Sequence, residues 1–163
     1  MSDLNSILKI RMKKIFLSLL IGSFVFTFIG CDFTKDRAEM RVGKAIKIIN
    51  EQCPRQVNAK MVYDSVGVED GDVVFYHTLK DTTPYLLTLL RKNKGEYKEH
   101  FRKSWIDWAD EDNTGFMEDI SNAGYGMVVR TASATTGRTV NVRFSPDEVA
   151  DIAEAMSEAI AED

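Results

Sequence analysis

Histidine and cysteine are scarce in this chain, with two of each among 163 residues, and proline occurs three times. The scarcity removes most metal and nucleophile chemistry at the outset. A zinc site needs ligands converging at short spacing, and neither His77 nor His100 has a Cys, His or paired carboxylate at a metal-binding interval. Glu96 and His100 stand four apart on one helix face, an ordinary surface spacing. Asp110, Glu111 and Asp112 lack the glycine and closing glutamate of a calcium loop and are expected to form a solvated turn. Gly124-Tyr125-Gly126 follows a predicted helix and precedes a predicted strand, the reverse of a phosphate-cradling loop. No cofactor is implied.

What the chain does have is one long apolar run. Between Ile15 and Gly30 there is no charged residue, and Lys13 and Lys14 stand directly before it. A basic pair followed by an apolar stretch has the form of a secretory signal. Sixteen helical residues reach about 24 Å, short of the ~30 Å hydrocarbon core of a bilayer. Ser18, Gly22, Ser23 and Thr27 dilute the run further. An export signal over residues 1–30 fits that length, while an uncleaved signal anchor and a buried core helix are the alternatives.

The run stops at Phe28-Ile29-Gly30-Cys31. These residues resemble the lipobox of bacterial lipoproteins, in which a small residue precedes the cysteine. Gly30 and Cys31 match that pattern, and Phe28 and Ile29 stand where Leu and Ala or Ser are usual. The resemblance covers residues 12–32. It implies that the Cys31 thiol receives a diacylglyceryl group with palmitate-type chains, that the signal is cut before Cys31, and that residues 31–35 form a lipid-bearing tether. It also implies an envelope location, with Asp32 resembling an inner-membrane retention signal in enteric-type bacteria. Two or three acyl chains on one residue, each methylene contributing ~0.8 kcal/mol, hold a protein at a membrane where one chain alone does so reversibly.

Residues 1–30 carry a net +3, so the whole-chain −4 leaves −7 on the remainder. An acidic domain without a basic stripe and interleaved aromatics excludes nucleic acid as a partner. A net-negative domain cannot be anchored to anionic lipid by its overall charge, which leaves the lipid on Cys31 as the anchor, while the basic outer face of the first helix reads as a solvated face or as one that touches headgroups beside that lipid. With Cys31 acylated, Cys53 stands alone. It reads first as a small buried hydrophobe near a helix end. Its other reading is the nucleophile of a thiol-dependent enzyme with His77 or His100 as base, against which the helix C-terminal dipole disfavours a thiolate.

Residues 36–163 read as one α+β domain. A helix begins near Asp36, with Ala38, Val42, Ala45, Ile46 and Ile49 on one face and Arg37, Arg41, Lys44 and Lys47 on the other, and Cys53-Pro54 closes it. Ala59 to Val68 and Val73 to Leu79 flank Asp70-Gly71, a strong hairpin signal, and the second of these runs reads as a central strand. Thr83-Pro84 starts a helical stretch to Trp108, interrupted near Asn93-Lys94-Gly95 and carrying Tyr97, Phe101, Trp105 and Trp108 at core-like spacing. A short helix over Phe116 to Asn122 follows. Tyr125 to Ala132 and Arg138 to Phe144 form a second hairpin, and Ser145-Pro146-Asp147-Glu148 is a capping box that opens a last helix.

Two hairpins predict an antiparallel sheet of about four strands, with helices packed on one face and an apolar signal helix in front. The half-polar strands leave the other face open to water or to a partner. Tyr63, Tyr76, Arg130 and Arg143 are the candidate interaction residues there. The expected function is that of a small envelope lipoprotein acting as a non-enzymatic binding module for an envelope protein. Met12, followed directly by two lysines, is the more natural start of such a signal than Met1, with Asp3 close behind it. N-terminal mass spectrometry of the unprocessed precursor is expected to find Met12 first in most molecules.

Overall fold

A computed structural model describes residues 34–83 and 85–161; the apolar run and Cys31 lie outside the described residues. Helix α1 covers residues 34–51, so the chain is already helical inside the segment expected to be a tether. Five strands follow in the order β1 (Arg55–Asn58), β2 (Met61–Glu69), β3 (Asp72–Leu79), β4 (Gly126–Ser133) and β5 (Thr139–Phe144). Between β3 and β4 run α2 (Tyr85–Lys92), α3 (Lys94–Asp107) and α4 (Glu111–Asn122), and α5 (Pro146–Ala161) ends the described chain.

The strands lie side by side in sequence order. Three junctions are antiparallel, but β3 and β4 run parallel, from Asp72 opposite Gly126 to Leu79 opposite Ser133. The expected antiparallel sheet of four strands is therefore a mixed sheet of five. The reason lies in the connection. Residues 80–125 hold three helices, and a crossover of that length carries the chain back to the end of the sheet where β3 began. The additional strand, β1, is short, exposed along its whole length and paired irregularly with β2, which keeps it below the level of a hydrophobic pattern.

Local signals at turns and caps are realised. Asp70 and Gly71 adopt positive φ of 51° and 81° in the two-residue turn that sets Glu69 opposite Asp72. The Ser145 amide donates to Glu148 Oε2 at 2.8 Å, and the Glu148 amide donates back to Ser145 Oγ at 3.3 Å, completing the capping box of α5. Asn93 divides α2 from α3. The acidic run at 110–113 differs from its reading as a turn. Asp110 is the N-cap of α4, accepting from the Asn113 amide at 2.7 Å, and Glu111 and Asp112 occupy the first turn, where the helix dipole favours carboxylates.

All helices that share a core with the sheet meet it on one face. The main apolar cluster joins Val66, Phe75, Val129 and Phe144 of the sheet to Val42 of α1, Tyr97 of α3, Ile120 of α4 and Ile152 of α5. An aromatic layer fills the gap between them. The Trp105 ring sits 5.7 Å from Phe75 and 5.3 Å from Phe144, and Phe101 lies 4.7 Å from Tyr97 and 6.0 Å from Trp105. A smaller cluster of Leu79, Leu87 and Val140 seats α2 at the end of the sheet. Phe144, 1% exposed, bridges the last strand to α3. Phe144→Ala is expected to cost about 3–5 kcal/mol, a large share of the ~5–15 kcal/mol total of such a domain, read as a lower urea midpoint at unchanged slope.

Candidate functional site: the open sheet face

On the face away from the helices, the registers set four rows of side chains. Glu69, Asp72 and Gly126 form one; Gly67, Val74, Val128 and Arg143 the next; Ser65, Tyr76, Arg130 and Asn141 a third; Val62, Thr78, Ala132 and Thr139 the last. The strand residues of both apolar clusters come from the opposite face. Val74 and Val128 are buried nonetheless, at 1% and 7% exposure, forming an apolar floor between polar rows.

Polar side chains on this face hold one another in place. The Arg130 guanidinium lies over the Tyr76 ring, 5.4 Å from its centroid, and pairs with Glu69 at 3.0 Å. The Tyr76 hydroxyl donates to the same Glu69 carboxylate. That hydrogen bond, aided by Arg130, holds the Glu69 carboxyl below its usual range, while burial and Glu69 together push the Tyr76 phenol up. The Tyr76 ring also lies above Gly67, 3.7 Å from where a Cβ would stand. One row further, Arg143 grips Asp72 with two hydrogen bonds of 2.7 and 2.9 Å. The Asp72 carboxylate in turn overhangs Gly126, where a Cβ would come within 2.3 Å of Asp72 Oδ1 and 2.8 Å of the Phe144 carbonyl. Glycine there admits the carboxylate. Exposed pairs of this kind contribute at most ~1 kcal/mol each, so their consequence is a fixed arrangement of donors and rings more than stability.

Of the four candidate residues, Tyr76, Arg130 and Arg143 come together on this face and Tyr63 does not. A bulge at Asp64, between the Tyr63–His77 and Ser65–Tyr76 pairs, shifts the strand by one residue. Tyr63 consequently faces the helices with Val66, only 5% exposed, stacked 5.1 Å from His77 and 6.3 Å from Phe75. Glu69 and Asp72, which complete the two ion pairs, were not singled out from the sequence. Their signal is the Asp-Gly turn they flank, which places both carboxylates at the top of the open face.

Cys53 and His77 are the remaining chemical candidates. No hydrogen bond joins them among the described residues. Burial raises the Cys53 thiol pKa, with Arg55 opposing, so the thiolate an enzyme would need is disfavoured. His77 sits between Tyr63 and Phe101, and its Nδ1 is buried without a hydrogen-bond partner among the described residues. His100 is exposed on α3. Asp81, 5% exposed, accepts from Ser133 Oγ at 2.8 Å and ties the β4–β5 turn to the end of β3. Among the described residues no group of three His, Cys, Asp or Glu side chains is placed to hold a metal ion.

No family model and no curated protein matches the chain. Solved structures do. A Pseudomonas aeruginosa protein classed as secreted superposes with a TM-score of 0.56 at 14% identity, over 71% of this chain and 96% of its own. The pilotin EpsS of the Vibrio vulnificus type 2 secretion system superposes with a TM-score of 0.50 at 6% identity, over 72% of this chain and 96% of its own. The fold is one that a secretion-system pilotin also adopts.

Burial lowers the His77 pKa to about 4 from its ordinary 6.5, Asp64 opposing the shift and Arg55 assisting it. The unfolded chain therefore takes up a proton below pH 6.5 that the folded protein refuses until about pH 4. Stability is expected to fall by about 2–3 kcal/mol from this group as pH drops through that window and to be independent of it above 6.5. Urea unfolding across pH 4 to 7 checks this, with His77→Phe flattening that part of the profile.

Proposed function

We propose that the protein is a bacterial envelope lipoprotein whose α+β domain is a non-enzymatic binding module, tethered to a membrane by lipid on Cys31. The reading rests above all on one juxtaposition. An apolar run preceded by two lysines and closed by Gly30-Cys31 leads directly into a domain with a fold that a type 2 secretion pilotin shares. Cleavage falls between Gly30 and Cys31, and the diacylglyceryl group on the thiol takes over the membrane attachment that the discarded signal provided.

The binding surface is the open sheet face. Tyr76, Arg130 and Arg143 present an aromatic ring and two guanidinium groups above the Val74–Val128 floor, and aromatic and Arg side chains are the types enriched where proteins bind proteins. Their ion pairs with Glu69 and Asp72 fix the side chains before a partner arrives, which lowers the entropy cost of association. The partner is accordingly an envelope protein.

Intact mass of the protein extracted from membranes tests the anchor. The expected species lacks residues 1–30 and carries an added diacylglyceryl mass on Cys31. Cys31→Ala is expected to accumulate as unprocessed precursor. A Cys31→Ala protein that is trimmed and retained in membranes like the parent refutes the lipid anchor.

A further inference from the structure

Arg37, Met40, Arg41, Lys44, Lys47 and Ile48 of α1 fall within an arc of about 120° on a helical wheel. The opposite arc, with Ala38 and Val42 at 0% exposure, packs into the core. The outward stripe thus carries four cations and two apolar side chains, and Met40 and Ile48 are each 58% exposed. Arg41 is paired with Asp119 of α4 at 2.6 Å, while Lys44 and Lys47 make no ion pair among the described residues. Glu51, at the end of α1, is the one carboxylate within the same arc.

We infer that this stripe lies flat on an anionic phospholipid surface and so sets the orientation of the domain. The inference rests on the lipid anchor proposed above and adds to it which side of the domain faces the bilayer. Only two residues lie between Cys31 and position 34, so three Cα–Cα steps keep the described start of α1 within about 11 Å of the acylated residue. An upright helix would carry Ile48 about 20 Å further out, beyond the ~8–10 Å screening length, whereas a helix in the plane keeps Arg37, Lys44 and Lys47 all within it. Charge selects the same side. Residues 31–163 carry −7, and α4 and α5 hold nine carboxylates and no cation, so an anionic surface repels them. The stripe of α1 offers cations to headgroups and two apolar side chains to the acyl boundary, the two components by which interfacial helices bind. The lipid holds the protein there; the stripe turns it.

Spin labels on the mature, lipidated protein test this. Met40→Cys, Ile48→Cys and, as a control on β5, Thr139→Cys are each placed in a Cys53→Ser background and reconstituted into vesicles of phosphatidylglycerol with phosphatidylethanolamine, or of phosphatidylcholine alone. In the anionic vesicles, positions 40 and 48 are expected to show several-fold lower collision with a water-soluble nickel chelate than position 139. That protection is expected to vanish in phosphatidylcholine and in a Lys44→Glu, Lys47→Glu double variant that keeps its melting temperature. Equal accessibility at all three positions in the anionic vesicles overturns the inference. So does protection of 40 and 48 that appears only when other envelope proteins are added, which would make the stripe a protein contact. Intact mass of each labelled sample keeps the two readings apart: absent acyl mass refutes the anchor, and correct mass with exposed labels refutes only the orientation.

Discussion

The wedge of Trp105 between Phe75 and Phe144 is the contact on which the rest of the architecture depends. It fastens the crossover segment to the middle and the last strand of the sheet together, and β4, lying between those strands, is enclosed by the same joint. Three helices inserted between two neighbouring strands can be accommodated on either face, and this aromatic layer commits them to one. With α1 and α5 drawn to the same side through Val42 and Ile152, no helical cluster among the described residues uses the other face. A sheet covered on one side only must satisfy the uncovered side with polar groups, and the Glu69–Arg130–Tyr76 and Asp72–Arg143 sets do so. The candidate surface is a consequence of where the aromatics went.

How much of this was legible in the sequence depends on whether the determining interaction is local. The Asp70-Gly71 turn, the Ser145–Glu148 box and the break at Asn93 are fixed by residues within four positions of one another, and all three stand where the pattern placed them. The placement of helices on one face also followed from the half-polar strands. The parallel junction did not, because nothing within β3 or β4 records direction; that is decided by the length and helicity of the forty-odd residues between them. Tyr63 shows the same limit at the scale of one residue. Strict alternation sets it with Ser65, and a bulge whose cause is the pairing with β3 sets it with Val66. The acidic run before α4 was legible as polar, but polar residues at a helix start and in a turn have the same composition, and only the Asp110 cap geometry separates them.

Burial has opposite effects on the two chemistries a nucleophilic reading would require. It raises the Cys53 thiol and lowers His77, so at neutral pH both groups stay uncharged, one as thiol and one as imidazole. A base that ring stacking holds between Tyr63 and Phe101, and a thiol whose anion is penalised, act as packing elements at the β2–β3 end of the core. The reactive-looking residues therefore sit in the apolar layer, and the organised polar residues sit on the open face. That division suits the proposed binding module, with chemistry quiet inside and the candidate interaction groups held outside.

The two surfaces argued for are related by the layering itself. Ala38 and Val42 of α1 join the same cluster as Phe75 and Phe144, so α1 belongs to the helical side, and its charged stripe points away from that cluster. The rows bearing Tyr76, Arg130 and Arg143 point away from it in the other direction. A membrane against α1 thus leaves the core between the bilayer and the open face. Under the proposed anchoring, acyl chains on Cys31 would by themselves let the domain tumble and spend much of its time with the sheet face toward the lipid. In the proposed pose the cations of α1 bias that rotation, and a modest bias is enough. Each additional unit of preference for the α1-down pose raises the fraction of molecules whose recognition face is turned outward, so affinity for a partner approaching from the aqueous side rises with that fraction, with no change in the face itself.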